Sequence, residues 1–432
     1  MSLTTRRPRA AAAPVLVPLL ALGLAACSVP GSTATDDGGG DATGVTDSTV
    51  TVGTHTPLTG PAAAGYSSIS AAATAYFAYL NEKGGINGRT IEYVVKDDGY
   101  NPANTQTVVR ELVQEDEVFA ILNGLGTPTH SAVLDYLDQN EVPDLFVASG
   151  STSWDQPEEY PWTFAFNTDY VVEGKALAHY AQEELDGTTY CVLGQDDDFG
   201  EEFQQGLEAV LGADGLASVQ TYSVSNQDVS AQIGAMQAAG CDTNFLATVN
   251  GFTALALGTA AKLGYQARWL SSSSGGDYPT LAGFLGEDVA PLLLEGFVST
   301  NYLSFSPDDP WVAHFRAVND EYNDGAPFDG NTVYGMSVAY TFAEALARAG
   351  DDPTRESLVE ALQSGDVVGA GIMPLGFSAD SHSAYDGVGI TVVASGVQDY
   401  VGPVYATDSA DGPVEDFTGD PVPFENDGVP QP

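Results

Sequence analysis

The sequence predicts an α/β protein made of two doubly wound, parallel-sheet lobes. Three observations carry this expectation. Apolar runs of about five to seven residues recur with helix-like segments between them, as parallel strands buried on both faces require. The alternation runs to about residue 149 and restarts near residue 174, so two sheets are expected instead of one. Between its termini the chain keeps roughly 360 residues, beyond the size at which one core usually serves.

Taken in order, the first element is a secretory signal, residues 1–26. Arg6, Arg7 and Arg9 precede an apolar run from Ala10 to Ala26, too short and too soon followed by polar residues for a membrane span. Pro8 and Arg9 break the twin-arginine pattern, leaving ordinary secretion. Cys27 directly follows Leu24-Ala25-Ala26. That order fits a bacterial lipobox, so Cys27 is the expected lipidation site, anchoring the chain to the outer face of the cytoplasmic membrane. Residues 27–47, mostly Ser, Thr, Gly and Asp, read as a flexible tether.

The first βαβ array follows. Strand-like segments at 49–55, 89–98, 118–124 and 144–149 alternate with helical ones at 67–85, 102–115 and 128–140. Gly84-Gly85 closes the first helix and Pro102 opens the second, each in its favoured place. The second array has helices at 174–185, 199–211, near 228–239 and near 253–263, with strands at 188–195, 217–224, 243–250 and 267–272. Helices then dominate at about 310–323, 332–349 and 354–363, before a β-rich stretch to 406. Residues 407–432, rich in Asp, Pro and Gly, read as a disordered acidic tail.

Charge and cysteine content narrow the function. Asp and Glu number 59 against 13 Lys plus Arg, a surface that repels phosphate backbones, so nucleic acid is not an expected partner. The excess acid reads as solubility outside the cell. Besides Cys27, only Cys191 and Cys241 remain. Each stands at the entrance to a strand, and the secretory context permits a disulfide between them.

Catalytic patterns are mostly absent, and no enzyme is expected. The hydroxyl-rich turn Ser149-Gly150-Ser151-Thr152-Ser153 lacks the second glycine of a nucleophile elbow. Of five histidines only His55 and His130 fall near strand ends. The turn 124–130, Gly-Leu-Gly-Thr-Pro-Thr-His, has no lysine of a phosphate loop, and no histidine or cysteine pair shows metal spacing. The triad Asp196–Asp198 lacks calcium-loop spacing. Neither a metal nor a cofactor is expected. Binding remains. Open sheets of this kind take ligands at the carboxyl ends of their strands. The turns around Gly126-Thr127 and Ser149–Thr152 sit there, and small hydroxyl residues with free backbone N–H groups suit a carboxylate. Helix capping explains the same residues, and both roles can coexist.

At these residues the chain resembles a known family. Segments 57–61 (PLTGP), 81–89 (NEKGGINGR), 96–105 (KDDGYNPANT), 124–130 (GLGTPTH), 142–151 (VPDLFVASGS) and 160–166 (YPWTFAF) occur in order, and 194–207 matches the opening turn of a second lobe. They are similar to the leucine/isoleucine/valine-binding family of ABC-transporter solute-binding lipoproteins, over about residues 48–405. The resemblance implies a type I periplasmic-binding-protein fold whose lobes are joined by a three-segment hinge. Lobe 1 is then 48–168 with a return at 302–374, and lobe 2 is 169–301 with a return at 375–406. It also implies a monomer that captures a small solute and docks on ABC permease subunits. The family's ligand-binding positions map to Tyr66, Gly126, Thr127, Ser149, Gly150, Ser151, Thr152, Tyr170 and Phe199, with Phe252 a further pocket-wall candidate by its place after a strand.

One position departs from the family. Where members that bind branched-chain amino acids carry an acid for the ligand ammonium, this chain has Ser273 within the run Ser271–Ser274. An ammonium buried without an anionic partner costs several kcal/mol. Asp277 or Asp196–Asp198 could take that role. Otherwise the solute is a carboxylate or amide without an amine. Two other readings are a ligand sensor on the same fold and a secreted serine hydrolase using Ser151.

Overall fold

The computed structural model describes residues 40–431. The signal peptide 1–26, Cys27 and the tether up to residue 39 lie outside the described residues. The first sheet holds β1 (Thr49–Thr56), β2 (Thr90–Asp97), β3 (Ile121–Leu122), β4 (Asp144–Val147) and β5 (Thr163–Ala165). Its order is β2-β1-β3-β4-β5, all parallel. Helices α1 (Ala63–Tyr66), α2 (Ser68–Glu82), α3 (Pro102–Gln114), α4 (Thr127–Ser131) and α5 (Leu134–Gln139) connect these strands. The single helix expected over 128–140 is two, interrupted at Val133, whose backbone leaves the helical region.

The second sheet begins after α6 (Tyr170–Glu183). It contains β6 (Tyr190–Gln195), β7 (Leu216–Tyr222), β8 (Thr243–Ala247), β9 (Arg268–Ser271) and β10 (Val298–Asn301). Helices α7 (Asp198–Leu211), α8 (Ser230–Ala239), α9 (Asn250–Leu263), α10 (Tyr278–Leu285) and α11 (Ala290–Leu293) link them. The chain then returns to the first lobe as α12 (Pro310–Tyr322), α13 (Gly330–Arg348) and α14 (Arg355–Gln363). It ends in the second sheet with β11 (Gly387–Ala394), β12 (Val397–Ala406) and β13 (Glu415–Asp416), all antiparallel to their neighbours. The order is β13-β12-β11-β10-β9-β8-β6-β7. The chain thus passes between the sheets three times, after β5, after β10 and before β11, and the segment after β13 crosses back a fourth time to pack on α2 and α12.

Packing follows the patterns. Helix α2 buries Ala72, Ala73, Tyr76, Phe77 and Leu80, and α13 is buried along nearly its whole length. Their close approach needs Gly335, because a Cβ there would lie 2.3 Å from the Ile69 carbonyl oxygen. In the second lobe Cys191 on β6 and Cys241 before β8 are joined by a disulfide. The two strands are neighbours, so the bond reinforces an existing pairing.

Two terminal expectations are corrected. The tether does not extend to residue 47, because Asp41 accepts from Arg355 Nη1 at 2.9 Å and Val45 bridges Val50. The acidic tail is packed over the described residues 407–431. Lys175, 2% exposed, donates to the carbonyls of Asp408, Ala410 and Gly412 and to the Asp408 carboxylate, at 2.8–3.1 Å. Trp311 Nε1 donates to the Val422 carbonyl, Phe424 packs on Trp311, and Tyr76 and Tyr79 donate to the carbonyls of Gly428 and Asp427. Composition misleads here because a few spaced apolar residues suffice to dock a chain whose carbonyls a buried ammonium needs.

Truncation before Thr407 therefore strands the Lys175 ammonium. Removing one side of a buried ionic contact costs about 3–5 kcal/mol, so a large fall in melting temperature is expected. Lys175→Met in the truncated chain should recover part of it. Equal melting temperatures with and without the tail would refute this role for residues 407–431.

Candidate functional site

The carboxyl ends of the two sheets face each other across a cavity of about 790 Å³ of non-atom space, its open mouth included. The first lobe contributes Tyr66 at the end of α1, Tyr100 after β2, and Leu125, Gly126 and Thr127 after β3. Asn331 and Tyr334 come from the start of α13. The second lobe contributes Phe199 from α7, Asn250 opening α9, Ser273 and Ser274 after β9, Asp277 before α10 and Asn301 closing β10. Tyr170 and Asn167 line it at the first crossing. Its wall is thus aromatic and amide-rich. Among the described residues no Lys, Arg or His lines it, and Asp277 is its sole charged residue.

The sequence-derived residues separate into three groups. Tyr66, Gly126, Thr127, Tyr170, Phe199 and Ser273 line the cavity together. Gly126 has φ +103°, and a Cβ there would meet the Tyr100 ring at 2.4 Å, so glycine is required for this turn. Ser149 and Gly150 stand behind the wall. Ser149 Oγ is 2.7 Å from Thr127 Oγ, tying the two turns together. Gly150 lets the Tyr170 N–H reach its carbonyl at 2.7 Å, where a Cβ would strike the Thr168 carbonyl oxygen.

Ser151, Thr152 and Phe252 are placed elsewhere. Ser151 Oγ, Thr152 N–H and Thr152 Oγ donate to the Glu202 carboxylate of α7 at 2.8–3.2 Å. The turn bends away after Gly150, so these hydroxyls face a small separate cavity lined also by Asp155 and Asp169. Phe252 stacks on Tyr222 with ring centroids 4.2 Å apart, inside the second-lobe core. Asn250, two residues earlier, takes the cavity-facing position instead. His55 and His130 contact each other and not Ser151, so the hydroxyl of that serine meets the Glu202 carboxylate and no histidine.

The acids near the cavity are already engaged. Asp277 accepts from Thr280 N–H, capping α10, and from Gly330 N–H across the cleft at 3.0 Å. Burial, with Asp329 nearby, pushes it up to about 6. Glu173, fully buried on α6, accepts from both the N–H and the hydroxyl of Ser273. Burial pushes it up to about 8 despite those bonds. Glu202 is likewise pushed up to about 7 by burial. Asp196–Asp198 lie at the end of β6 and the start of α7, none of them lining the cavity.

Several contacts cross between lobes. Tyr66 Oη donates to the Ser274 carbonyl and accepts from Asn250 N–H. With Glu202 against Ser151-Thr152 and Asp277 against Gly330, they hold the lobes closed over the cavity. Sequence reasoning missed Tyr100, Asn250 and Asn301, although each follows or ends a strand and the rule that found Thr127 covers them. Asn331 and Tyr334 had no such signal, since α13 reaches the cleft only through the return crossing.

The sequence profile of the periplasmic binding protein family matches residues 49–398. A leucine-, isoleucine-, valine-, threonine- and alanine-binding protein of Pseudomonas aeruginosa is 22% identical over 321 residues, 73% of this chain and 82% of that one. Among solved structures, a fatty acid ABC transporter substrate-binding protein from Thermomonospora curvata superposes with a TM-score of 0.76 at 25% identity, covering 88% of this chain and 99% of that one. A branched-chain amino acid ABC transporter protein from Thermus thermophilus with bound valine gives 0.74 at 23%, covering 84% and 98%. With two wound lobes closed over a shared cavity and a family match spanning most of its length, the chain belongs to the periplasmic binding protein family.

Proposed function

We propose that this protein is the extracytoplasmic solute-binding lipoprotein of an ABC importer, and that its solute is a small, largely apolar carboxylate or amide without an amine. The carrying observation is that, among the described residues, Asp277 is the one carboxylate lining the cavity and two backbone N–H groups already engage it, while Glu173 behind the wall is bound by Ser273. The Gly126-Thr127 turn and the asparagines supply the polar contacts, and Tyr66, Tyr170 and Phe199 the apolar walls. A lipid on Cys27 holds the monomer at the membrane, and the closed lobes present the surface that permease subunits read. The names of its relatives, which include both amino-acid and fatty-acid binders, accommodate such a solute.

One observation favours a second reading. Asp277 does line the cavity, and a ligand ammonium beside it would offset the burial that raises it. A thermal-shift panel of branched-chain amino acids, their keto acids and their amides separates the two. Stabilisation by keto acids or neutral amides, undiminished in Asp277→Asn, is expected. Stabilisation by leucine or valine alone, lost in Asp277→Asn, would overturn the amine-free assignment and leave the binding role standing. Turnover of an ester panel, abolished by Ser151→Ala, would overturn the binding role itself.

Closure should depend on pH through Glu202. In separated lobes this carboxyl is solvated, with an ordinary value near about 4.3; closed, it stands at about 7. The closed form therefore takes up protons between these values, and closure strengthens as pH falls through 7. Affinity for a solute found in the panel should fall roughly thirtyfold from about pH 5.5 to 8, and Glu202→Gln should flatten the profile. An unchanged slope in Glu202→Gln would reject the assignment.

A further inference from the structure

Four buried residues form an unbroken chain beneath the ligand-facing turns. His55 lies near the end of β1, Asp98 follows β2, His130 belongs to α4 and Asp144 opens β4. His55 Nδ1 is 2.9 Å from Asp98 Oδ2, His55 Nε2 is 3.0 Å from His130 Nδ1, and His130 Nε2 is 2.7 Å from Asp144 Oδ2. All four side chains are fully buried. The other groups touching the chain are neutral. Thr105 Oγ and Tyr100 N–H donate to Asp98, Thr163 Oγ donates to Asp144, and the Trp154 ring meets His130 edge-on. Among the described residues no Lys or Arg is bonded to it.

Counting protons exposes the constraint. Two neutral imidazoles carry two N–H groups between them. If each is given to its carboxylate, two nitrogen lone pairs face each other across 3.0 Å. If one is turned to the centre, a lone pair faces a carboxylate instead. Either repulsion sits in a dry site carrying two negative charges, where no solvent relieves it. A third proton turns all three contacts into hydrogen bonds and halves the buried charge.

We infer that Asp98, His55, His130 and Asp144 act as one acid holding three protons at neutral pH, and that the third proton fixes the turn forming the first-lobe wall of the ligand cavity. The turn is bound tightly to this chain. Leu125, Gly126 and Thr127 lie between β3 and His130, and Tyr100 is two residues beyond Asp98. At Gly124 a Cβ would lie 2.5 Å from a nitrogen of each ring, so the backbone passes against the pair only because that residue is glycine. Burial holds His55 below the ordinary imidazole range; the Asp98 hydrogen bond and the charges of Asp98 and Asp144 oppose this without reversing it, and the neighbouring His130 adds to it. The three contacts taken together, and not the tendency of either ring alone, assign the third proton: it rests on an imidazole, the more basic kind of group, and its release belongs to the chain as a unit. Its position is set by geometry that is independent of which solute binds.

The test is nitrogen NMR on the full chain labelled at histidine. His55 and His130 are the only two of the five histidines in hydrogen-bond contact with each other, so a coupling across an N–H···N bond identifies them without substitutions. At neutral pH one ring of the coupled pair should carry hydrogen on both nitrogens. Because the folded state then binds more protons than the unfolded chain, stability should fall as pH rises through the release. Asp144→Asn gives the second arm. Its amide can donate to His130 Nε2, so two protons satisfy every contact, and the doubly protonated ring should vanish while the coupling persists. Two singly protonated rings in the wild type at neutral pH, or a doubly protonated ring surviving in Asp144→Asn, would overturn the inference.

Discussion

The structure depends on one constraint: a chain with a net charge of −46 closes two lobes on each other and must leave no carboxylate unanswered in the seam. Hardly any cations are available to answer them. The protein uses neutral donors instead. Glu173 takes the N–H and hydroxyl of Ser273, Glu202 takes Ser151 and Thr152, and Asp277 takes two helix-start N–H groups. Each carboxyl is raised by burial, so each remains costly even when fully bonded.

The same constraint explains where the hydroxyl-rich segments went. Serines and threonines at strand ends look like a ligand cup, yet half of those in the turn after β4 serve Glu202, and Ser273 serves Glu173. A cleft that has spent its hydroxyls on its own acids is lined mainly by tyrosine, phenylalanine and asparagine. Such walls suit a ligand with modest polar needs. The buried His55–His130 pair belongs to this economy too: lacking a lysine to neutralise Asp98 and Asp144, the fold places two imidazoles between them.

Much of this was legible in the sequence. The apolar runs at 118–124 and 144–149 announced parallel strands because burial on both faces leaves few polar positions, whereas the edge strand β2 keeps polar residues and was marked by its place between helices. Thr127 was found because strand ends in wound sheets converge on the cleft, and Tyr170 and Phe199 through the family resemblance. Other features were not legible. Ser151 and Thr152 share the local pattern of cup residues, and only the position of Glu202, some fifty residues later, decides where they point. The terminal segment was masked by composition, since Lys175 seeks backbone carbonyls, which every residue offers alike. His55 and His130 were noticed singly, but pairing them needs the register of β1, β3 and β4.

The central claim is that the cleft takes a solute without an ammonium group. The most direct measurement is to purify the protein without unfolding it, release whatever it retains, and treat the released solute with an amine-reactive reagent before mass analysis. A retained carboxylate or amide of unchanged mass is predicted. A stoichiometric ligand whose mass shifts with the reagent would contradict the account and return Asp277 to the role of an ammonium partner.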